Sequence, residues 1–292
     1  MLHGREATCF VARRCMIRID THQHFWTYDP EKYAWMGASM RPIQRNFMPE
    51  DLAPELAGSG IDGTVLVEAR GHLEETENLL SIARRTDFVR GVVGWLPLTE
   101  PRLEALLEHY AAAPKLKGIR HWLGPDTDLE SMFSKAIQRG VALLERARLS
   151  FDLMLWPPQL AVAPRFVDRH PDQVFVLDHF AKPYIRAREL EPWRTQIREL
   201  SRRPNVYCKL SGLVTEADWD HWTAQDLQPF LDVALEAFTP RRLMFGSDWP
   251  VCTLAAGYAR WVQTVEAWLQ KLSSDEQELI FGGTAAHVYR LV

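Results

Sequence analysis

Residues 17–26 read Ile-Arg-Ile-Asp-Thr-His-Gln-His-Phe-Trp, a short apolar run that leads directly into polar and aromatic residues. Similar runs, rich in Val, Ile, Leu and Phe and bounded by polar, Gly or Pro residues, recur along the chain. Runs of this kind are typical of buried strands. We predict eight strands: Ile17–Asp20, Thr64–Glu68, Val89–Leu96, Leu116–Arg120, Phe151–Leu155, Val174–Leu177, Val206–Leu210 and Leu243–Phe245.

The spacing of these runs leaves room for a helix between consecutive strands. Successive runs begin about 32 residues apart on average, and a strand with its crossover helix needs roughly 30 residues. Apolar residues at helical spacing predict helices over 74–85, 101–112, 131–148, 225–238 and 258–271. The alternation of strand and helix predicts an α/β fold, a single (β/α)₈ barrel of the TIM type. A doubly wound sheet is the rival fold, but the sequence contains no P-loop motif.

The length of 292 residues fits one barrel domain. Met16 directly precedes the first predicted strand, whereas residues 1–15 have no continuous apolar core. We therefore expect residues 1–15 to be a disordered N-terminal extension, with Met16 as the natural start, and residues 16–292 to form the barrel.

The composition argues against several classes of partner. Lys and Arg number 34 and Asp and Glu number 38, so no basic surplus is available for nucleic acid. No uncharged apolar stretch approaches the roughly 18 residues that a membrane span needs. The four cysteines form no C-x-x-C pair and are too few for a disulfide framework, which favours a reducing, cytoplasmic location.

Residues that directly follow the strands of such a barrel share one rim, where barrel active sites lie. Residues i and i+2 of an extended chain face the same way, so His22 and His24 can grip one metal ion. Two solvated loop histidines are the alternative. His179 follows the apolar sixth strand and is expected to face the barrel mouth, with Lys182 close behind it.

Charged residues end three further strands. Glu68 and Arg70, after the second strand, can contact a polar substrate or pair with each other. Arg120, at the end of the fourth strand, suits a substrate carboxylate or a polarised carbonyl, with a structural ion pair as the alternative. His121 follows it. Asp248, after the eighth strand, can accept a proton from water, bind a metal or cap the following turn.

Tryptophan is unusually frequent, with 11 residues, and seven of them fall in the predicted rim loops: Trp26, Trp35, Trp122, Trp156, Trp219, Trp222 and Trp249. Aromatic rings stack on sugar faces, so these residues can line a sugar pocket, although packing explains some of them. We favour Trp26 and Trp222 as substrate contacts. The long segment 30–49, which includes Trp35 and Met40, can cover the barrel mouth.

The motifs T-H-Q-H-F-W, V-L-V-E-A, K-G-I-R-H, V-L-D-H-F-A-K-P, K-L-S-G-L and F-G-S-D-W-P-V occur in this order along the chain. This ordered set resembles the amidohydrolase superfamily and, within it, the amidohydrolase-2 branch of sugar lactonases such as fuconolactonases and rhamnonolactonases. The resemblance covers about residues 16–292. It implies a distorted (β/α)₈ barrel that hydrolyses a cyclic ester, the lactone of a sugar acid or related acid, with an activated water.

The resemblance also implies roles for individual residues. It makes His22, His24 and His179, with Asp248, the candidate ligands of one divalent ion, for which zinc suits the donor set. Asp248 is then the general base and Arg120 acts on the substrate. Arg120 and Trp156 stand where two-metal members have a bridging residue and a further histidine, so a second metal is not expected. Metal-free catalysis is the alternative.

The expected mechanism is attack of a water, deprotonated by Asp248, on the lactone carbonyl. Arg120 and the metal or the histidines stabilise the oxyanion, and His179 or His121 relays a proton. The expected substrate contacts are Trp26, Glu68, Arg70, His121, Lys182 and Trp222. Two alternatives stay open, a metal-dependent decarboxylase and a barrel that binds a sugar acid without turnover. A serine esterase would need a G-x-S-x-G elbow, which the sequence lacks. The oligomeric state is left open.

Overall fold

The structure is a computed structural model that describes residues 17–121 and 129–291. The extension expected over residues 1–15, and Trp122, lie outside the described residues. Eight parallel strands pair in chain order, from β1 to β8, as a (β/α)₈ barrel requires. The strands are β1 (Ile19–Gln23), β2 (Gly63–Val67), β3 (Val89–Gly94), β4 (Leu116–Arg120), β5 (Ser150–Leu153), β6 (Phe175–Leu177), β7 (Val206–Leu210) and β8 (Leu243–Phe245).

The predicted strands are confirmed, three of them to the residue and the others within one to three residues at each end. The main difference is in β1, which extends to Gln23 and so includes His22. Nearly every strand residue is buried, because side chains fill the barrel on the inside and helices cover it on the outside.

The longer helices that cover the barrel bury one apolar face each. In the helix over residues 135–146, Ile137, Val141 and Leu144 are buried, and the Ser134 hydroxyl caps the first turn by accepting the Ile137 N–H. The α-helices are α1 (Pro49–Ser59), α2 (Leu73–Arg85), α3 (Leu103–Tyr110), α4 (Lys135–Arg146), α5 (Pro157–Leu160), α6 (Ala163–Val167), α7 (Trp193–Leu200), α8 (Leu213–Glu216), α9 (Ala224–Phe238), α10 (Tyr258–Leu269), α11 (Ser274–Glu278) and α12 (Thr284–Val288).

A G-x-G-x-x-G pattern at residues 58–63 lies at the junction of α1 and β2. A dinucleotide-binding loop needs the opposite order, with the pattern after a strand and at the start of a helix. The three glycines instead lie at the end of α1, in the turn and at the start of β2, and Gly60 in the turn adopts a φ of 63°.

The barrel closes where β8 meets β1. The Asp248 amide donates to the His22 carbonyl and the His24 amide donates to the Trp249 carbonyl, both at 2.7 Å. A parallel bridge between Gln23 and Trp249 lies at the same junction. We call this junction the β8–β1 seam. It brings the polar residues that follow the last strand against those of the first.

The buried carboxylate of Asp20 fastens the β8–β1 seam. Its Oδ1 accepts the amides of His22 at 3.0 Å and Ser247 at 2.9 Å, and its Oδ2 accepts the Tyr258 hydroxyl at 3.1 Å. Burial raises the pKa of Asp20 to about 6, against the opposing effect of these hydrogen bonds. One side chain thus joins β1, the residues after β8, and α10.

None of the helices in the described ranges 17–121 and 129–291 combines the length and the apolar character needed to cross a membrane.

We predict opposite effects for alanine at Gly282 and Gly58. A Cβ at Gly282 would lie 2.0 Å from the Ile17 carbonyl oxygen, so Gly282→Ala should lower the free energy of unfolding by about 1–3 kcal/mol. Gly58 is exposed within α1, and nothing lies within 4 Å of a Cβ added there. Gly58→Ala should therefore raise the free energy of unfolding by about 0.5–1 kcal/mol. Denaturant titration of both variants checks this. Equal stability of the two would contradict the described packing of Gly282 on Ile17, just before β1.

Candidate active site

A cavity of about 290 Å³ opens at the carboxyl ends of the strands, the rim on which barrel enzymes carry their active sites. Its wall combines charged and imidazole groups with aromatic and aliphatic ones. The lining residues are His24, Trp35, Met40, Glu68, Ala69, Arg120, Met154, Trp156, His179, Lys182, Thr215, Glu216, Trp219, Asp248, Val251 and Leu254.

Three imidazoles converge on one carboxylate oxygen at the base of this cavity. The distances from Asp248 Oδ1 to the Nε2 atoms are 3.3 Å for His24, 3.8 Å for His22 and 3.9 Å for His179. All four residues are buried. The structure thus brings together the four residues predicted as a metal centre.

The hydrogen bond of His24 Nδ1 determines which form of the imidazole faces the Asp248 carboxylate. His24 Nδ1 lies 2.8 Å from the Val67 carbonyl oxygen, which can only accept, so the proton of the neutral ring is on Nδ1. Nε2 then keeps its lone pair and points it at the Asp248 carboxylate. Two electron-rich atoms in this arrangement need a cation or a proton between them.

These donors fit a metal ion. Ligand atoms of a tetrahedral zinc lie about 3.3 Å apart, given bonds near 2.0–2.1 Å, and His22, His24 and Asp248 place their ligand atoms within 4.8 Å of one another. His179 Nδ1 lies 2.9 Å from the Ser211 hydroxyl, which orients its Nε2 towards the same point. The donor set of imidazole nitrogens and a carboxylate oxygen is one that divalent transition metals accept.

Three charged residues beneath His22 were not predicted to belong to the site. His22 Nδ1 lies 3.4 Å from Asp178 Oδ1 and 3.3 Å from Lys209 Nζ. Lys209 Nζ also contacts Asp152 Oδ2 at 2.6 Å and Asp178 Oδ1 at 3.0 Å. All three are fully buried. Two of them could have been found from the sequence, because Lys209 and Asp152 are charged residues within the buried strands β7 and β5.

Burial and mutual charge shift the titration of these groups. Burial lowers the pKa of His22 well below its usual range and that of His179 to about 4. Burial alone would raise the pKa of Asp248, but the neighbouring His179, His24 and His22 hold it below its usual range. Near neutral pH the carboxylate is therefore ionised and the rings of His22 and His179 are neutral, the states that metal ligands require.

Arg120 lines the cavity but its guanidinium is already engaged. Its Nε donates to Glu68 Oε1 at 2.6 Å, Nη1 to Asp178 Oδ2 at 3.2 Å, and Nη2 to the Glu68 carbonyl. Nη1 also lies 3.3 Å from His22 Nε2. Burial disfavours the charged form, yet the two carboxylates raise the pKa of Arg120 above its usual value. Arg120 is thus a fixed positive charge beside the imidazole cluster.

The backbone is strained where two of these residues sit. Residues 179–182 all adopt positive φ, between 51° and 57°, which makes one left-handed turn after β6. Asp248 has a φ of 61°. Left-handed backbone costs roughly 1–2 kcal/mol per residue for L-amino acids, and such strain concentrates at functional sites. The turn places both His179 and Lys182 in the cavity wall.

The other predicted contacts divide between the cavity and its surroundings. Lys182 lines the cavity and pairs with Glu216, whereas Arg70 pairs with Glu74 at 2.8 Å and does not line the cavity.

The rings of Trp26, His121 and Trp222 do not line the cavity either. Trp26 packs among Tyr33, Trp35 and Phe47, His121 stacks on Trp95, and Trp222 donates to the Ala255 carbonyl. Trp35, Trp156 and Trp219 line the cavity instead, with Met40 from segment 30–49.

We predict that Gly212→Ala displaces His179. Gly212 has a φ of 69°, and a Cβ there would lie 2.6 Å from His179 Nδ1. The imidazole should move by about 1 Å and lose its contact with Ser211, with a loss of about 1–3 kcal/mol in unfolding free energy. A crystal structure of the variant and thermal unfolding check this. Gly37→Ala is the control, because nothing lies within 4 Å of its Cβ position. An unmoved His179 ring in Gly212→Ala would refute the prediction.

Comparison with known proteins agrees with this fold and site. An L-fucono-1,5-lactonase of Burkholderia multivorans is 41% identical over 286 residues, covering 94% of this chain and 96% of that protein. An L-fucono-1,5-lactonase of Burkholderia ambifaria is 37% identical over 278 residues, with coverage of 94% and 96%.

A crystal structure of an amidohydrolase from Burkholderia multivorans with bound zinc superposes with a TM-score of 0.90 at 39% identity, covering 94% of this chain and 100% of that one. Residues 19–291 match the sequence profile of the Amidohydrolase family. The resemblance seen in the motifs is therefore confirmed, and the chain belongs to the amidohydrolase family.

Proposed function

We propose that this chain hydrolyses a lactone of a sugar acid. The observation that carries the proposal is the convergence of His22, His24 and His179 on Asp248 at the base of a cavity on the barrel rim. Two relatives that align with nearly the whole chain bear the name of a sugar lactonase. The decarboxylase and the non-catalytic binding protein have weaker support, because the two relatives at 41% and 37% identity are both named as lactonases.

In the proposed reaction Asp248 holds a water against the lactone carbonyl. The carboxylate takes a proton from the water as its oxygen bonds to the carbonyl carbon, which gives a tetrahedral oxyanion. Arg120 stabilises this negative charge from its fixed position, and no reorganisation is needed during the reaction. The ring C–O bond then breaks to leave an alkoxide and a free carboxylic acid.

In the metal-free form of this reaction, in which His179 Nε2 binds no metal, His179 is suited to carry the proton to the alkoxide. Its Nε2 lies 3.9 Å from Asp248 Oδ1, and its pKa of about 4 makes the protonated ring a ready donor. The proton taken from water therefore ends on the leaving oxygen. His121 is less suited to this role, since its ring stacks on Trp95 outside the cavity lining.

We also propose that His22, His24, His179 and Asp248 hold one zinc ion. Zinc bound by these residues would lower the pKa of a bound water and stabilise the oxyanion. The lone pair of His24 Nε2, which faces a carboxylate oxygen at 3.3 Å, supports a cation at this point.

We expect Asp248→Asn to lower the turnover of sugar lactones by about 10³-fold or more, because the amide cannot accept the proton. A pH-indicator assay over a panel that includes L-fucono-1,5-lactone measures this, with thermal unfolding as the check on folding. Asp172→Asn is the matched control, because Asp172 is exposed and precedes β6, at the opposite end of the barrel. Near-normal turnover by Asp248→Asn would refute the assigned role.

Zinc binding should depend on His24 and not on an exposed histidine. Wild-type protein loaded with zinc should retain about one ion per chain after dialysis, and His24→Gln should bind zinc at least about 100-fold more weakly. Elemental analysis and competition with a chromogenic chelator measure both values. His109→Gln, at an exposed position on α3, should match the wild type. Unchanged zinc affinity in His24→Gln would exclude this site.

A further inference from the structure

The cations of the cavity wall are paired with carboxylates. Among the described lining residues the only Lys and Arg are Lys182 and Arg120. Arg120 is held by Glu68 and Asp178, and Lys182 Nζ lies 2.8 Å from Glu216 Oε1. Residues 122–128, which follow β4, contain no Lys or Arg in the sequence. Both described cations of the wall are thus paired with carboxylates before a substrate enters.

Carboxylates at least balance the cations in this wall. Glu68, Glu216 and Asp248 line it together with the two cations. Glu68 Oε2 is buried and has no hydrogen-bond partner within residues 17–121 and 129–291, so it is an acceptor open to a donor group. A hydroxyl group can donate to such an oxygen, whereas a carboxylate cannot. Apart from Asp248, which belongs to the proposed zinc site, Glu68 and Glu216 balance Arg120 and Lys182. A wall of paired charges with such an acceptor favours a neutral, hydroxylated ring over a ring that carries a carboxylate.

The pair of Lys182 and Glu216 is more exposed than the other charged side chains of this wall. Their side chains are 22% and 25% exposed, whereas those of Arg120 and Asp248 are 5% and 6% exposed. Lys182 ends the left-handed turn after β6 and Glu216 ends α8, after β7. The pair is therefore the charged part of the wall that solvent reaches most easily. It is placed to contact a substituent of the ring, not the reacting carbonyl.

We propose that Glu216 is a specificity-determining residue. By neutralising Lys182, it excludes lactones that carry a free carboxylate in addition to the cyclic ester. The inference rests on the proposed lactone hydrolysis. When Glu216 is removed, Lys182 becomes an unpaired cation at the cavity mouth and can bind a carboxylate on the ring. The same chain would then accept a class of substrate that the wild type rejects.

A matched pair of substrates tests this. D-glucono-1,4-lactone and D-glucaro-1,4-lactone share the ring and its hydroxyl groups and differ only in a terminal hydroxymethyl or carboxylate group. We expect the wild type to favour the neutral lactone. Glu216→Gln should raise the ratio of kcat/KM for the carboxylated lactone to that for the neutral lactone by about tenfold or more. Glu189→Gln, which makes the same charge change at an exposed residue, should leave the ratio unchanged.

The double variant Glu216→Gln/Lys182→Met separates this role from a merely structural one. The gain for the carboxylated lactone should disappear with Lys182, because the cation that binds the carboxylate is gone. A gain that persists without Lys182 would overturn the inference, as would an equal ratio in wild type and Glu216→Gln.

Calorimetric binding of the two lactones keeps the test independent of turnover. Measured in an Asp248→Asn background, the ratio of the two dissociation constants should shift in the same direction on Glu216→Gln. If the wild type hydrolyses neither lactone and the shift in dissociation constants is still seen, only the proposed function is refuted. Hydrolysis of the neutral lactone without any shift would refute only the role of Glu216. Binding of neither lactone, with or without Glu216, would also count against that role.

Discussion

The two backbone hydrogen bonds of the β8–β1 seam position the whole candidate site. Asp248 donates to the His22 carbonyl and His24 donates to the Trp249 carbonyl, so the last strand carries its carboxylate directly against the histidines of the first. Asp20 secures the same seam from below through Ser247. A barrel that failed to close here would still have its strands and helices. It would lose the convergence of imidazoles on one oxygen, from which the proposed chemistry follows.

Buried charge beneath the cavity keeps this convergence rigid. Lys209 lies among Asp152, Asp178 and His22, and Arg120 is fixed between Glu68 and Asp178. Buried ion pairs contribute little net stability, but breaking one leaves an unpaired buried charge at a cost of about 3–5 kcal/mol. The network therefore resists rearrangement. Its value to the site is orientation, because it holds His22 and Arg120 where they can act without moving.

The sequence predicted the barrel, because eight apolar runs at regular spacing admit few other folds, and it predicted the four clustered residues, because strand ends share a rim. It did not predict which rim residues line the cavity. Trp26 and Trp222 follow strands but turn into the packing, whereas Trp35 and Trp156 line the cavity. Side-chain direction in a loop depends on tertiary contacts that periodicity does not encode. For the same reason the sequence did not predict that Arg120 pairs with Glu68 and Asp178.

The left-handed turn after β6 has a consequence for how such a site can change. His179 begins the turn and Lys182 ends it, so the proposed proton carrier and the cation at the cavity mouth are attached to one strained piece of backbone. A substitution that relaxed the turn would disturb both together. Glu216, on α8, is free of that linkage. Divergence towards new ring substituents is therefore most accessible from the β7 side of the barrel, where a change in preference leaves the reacting groups in place.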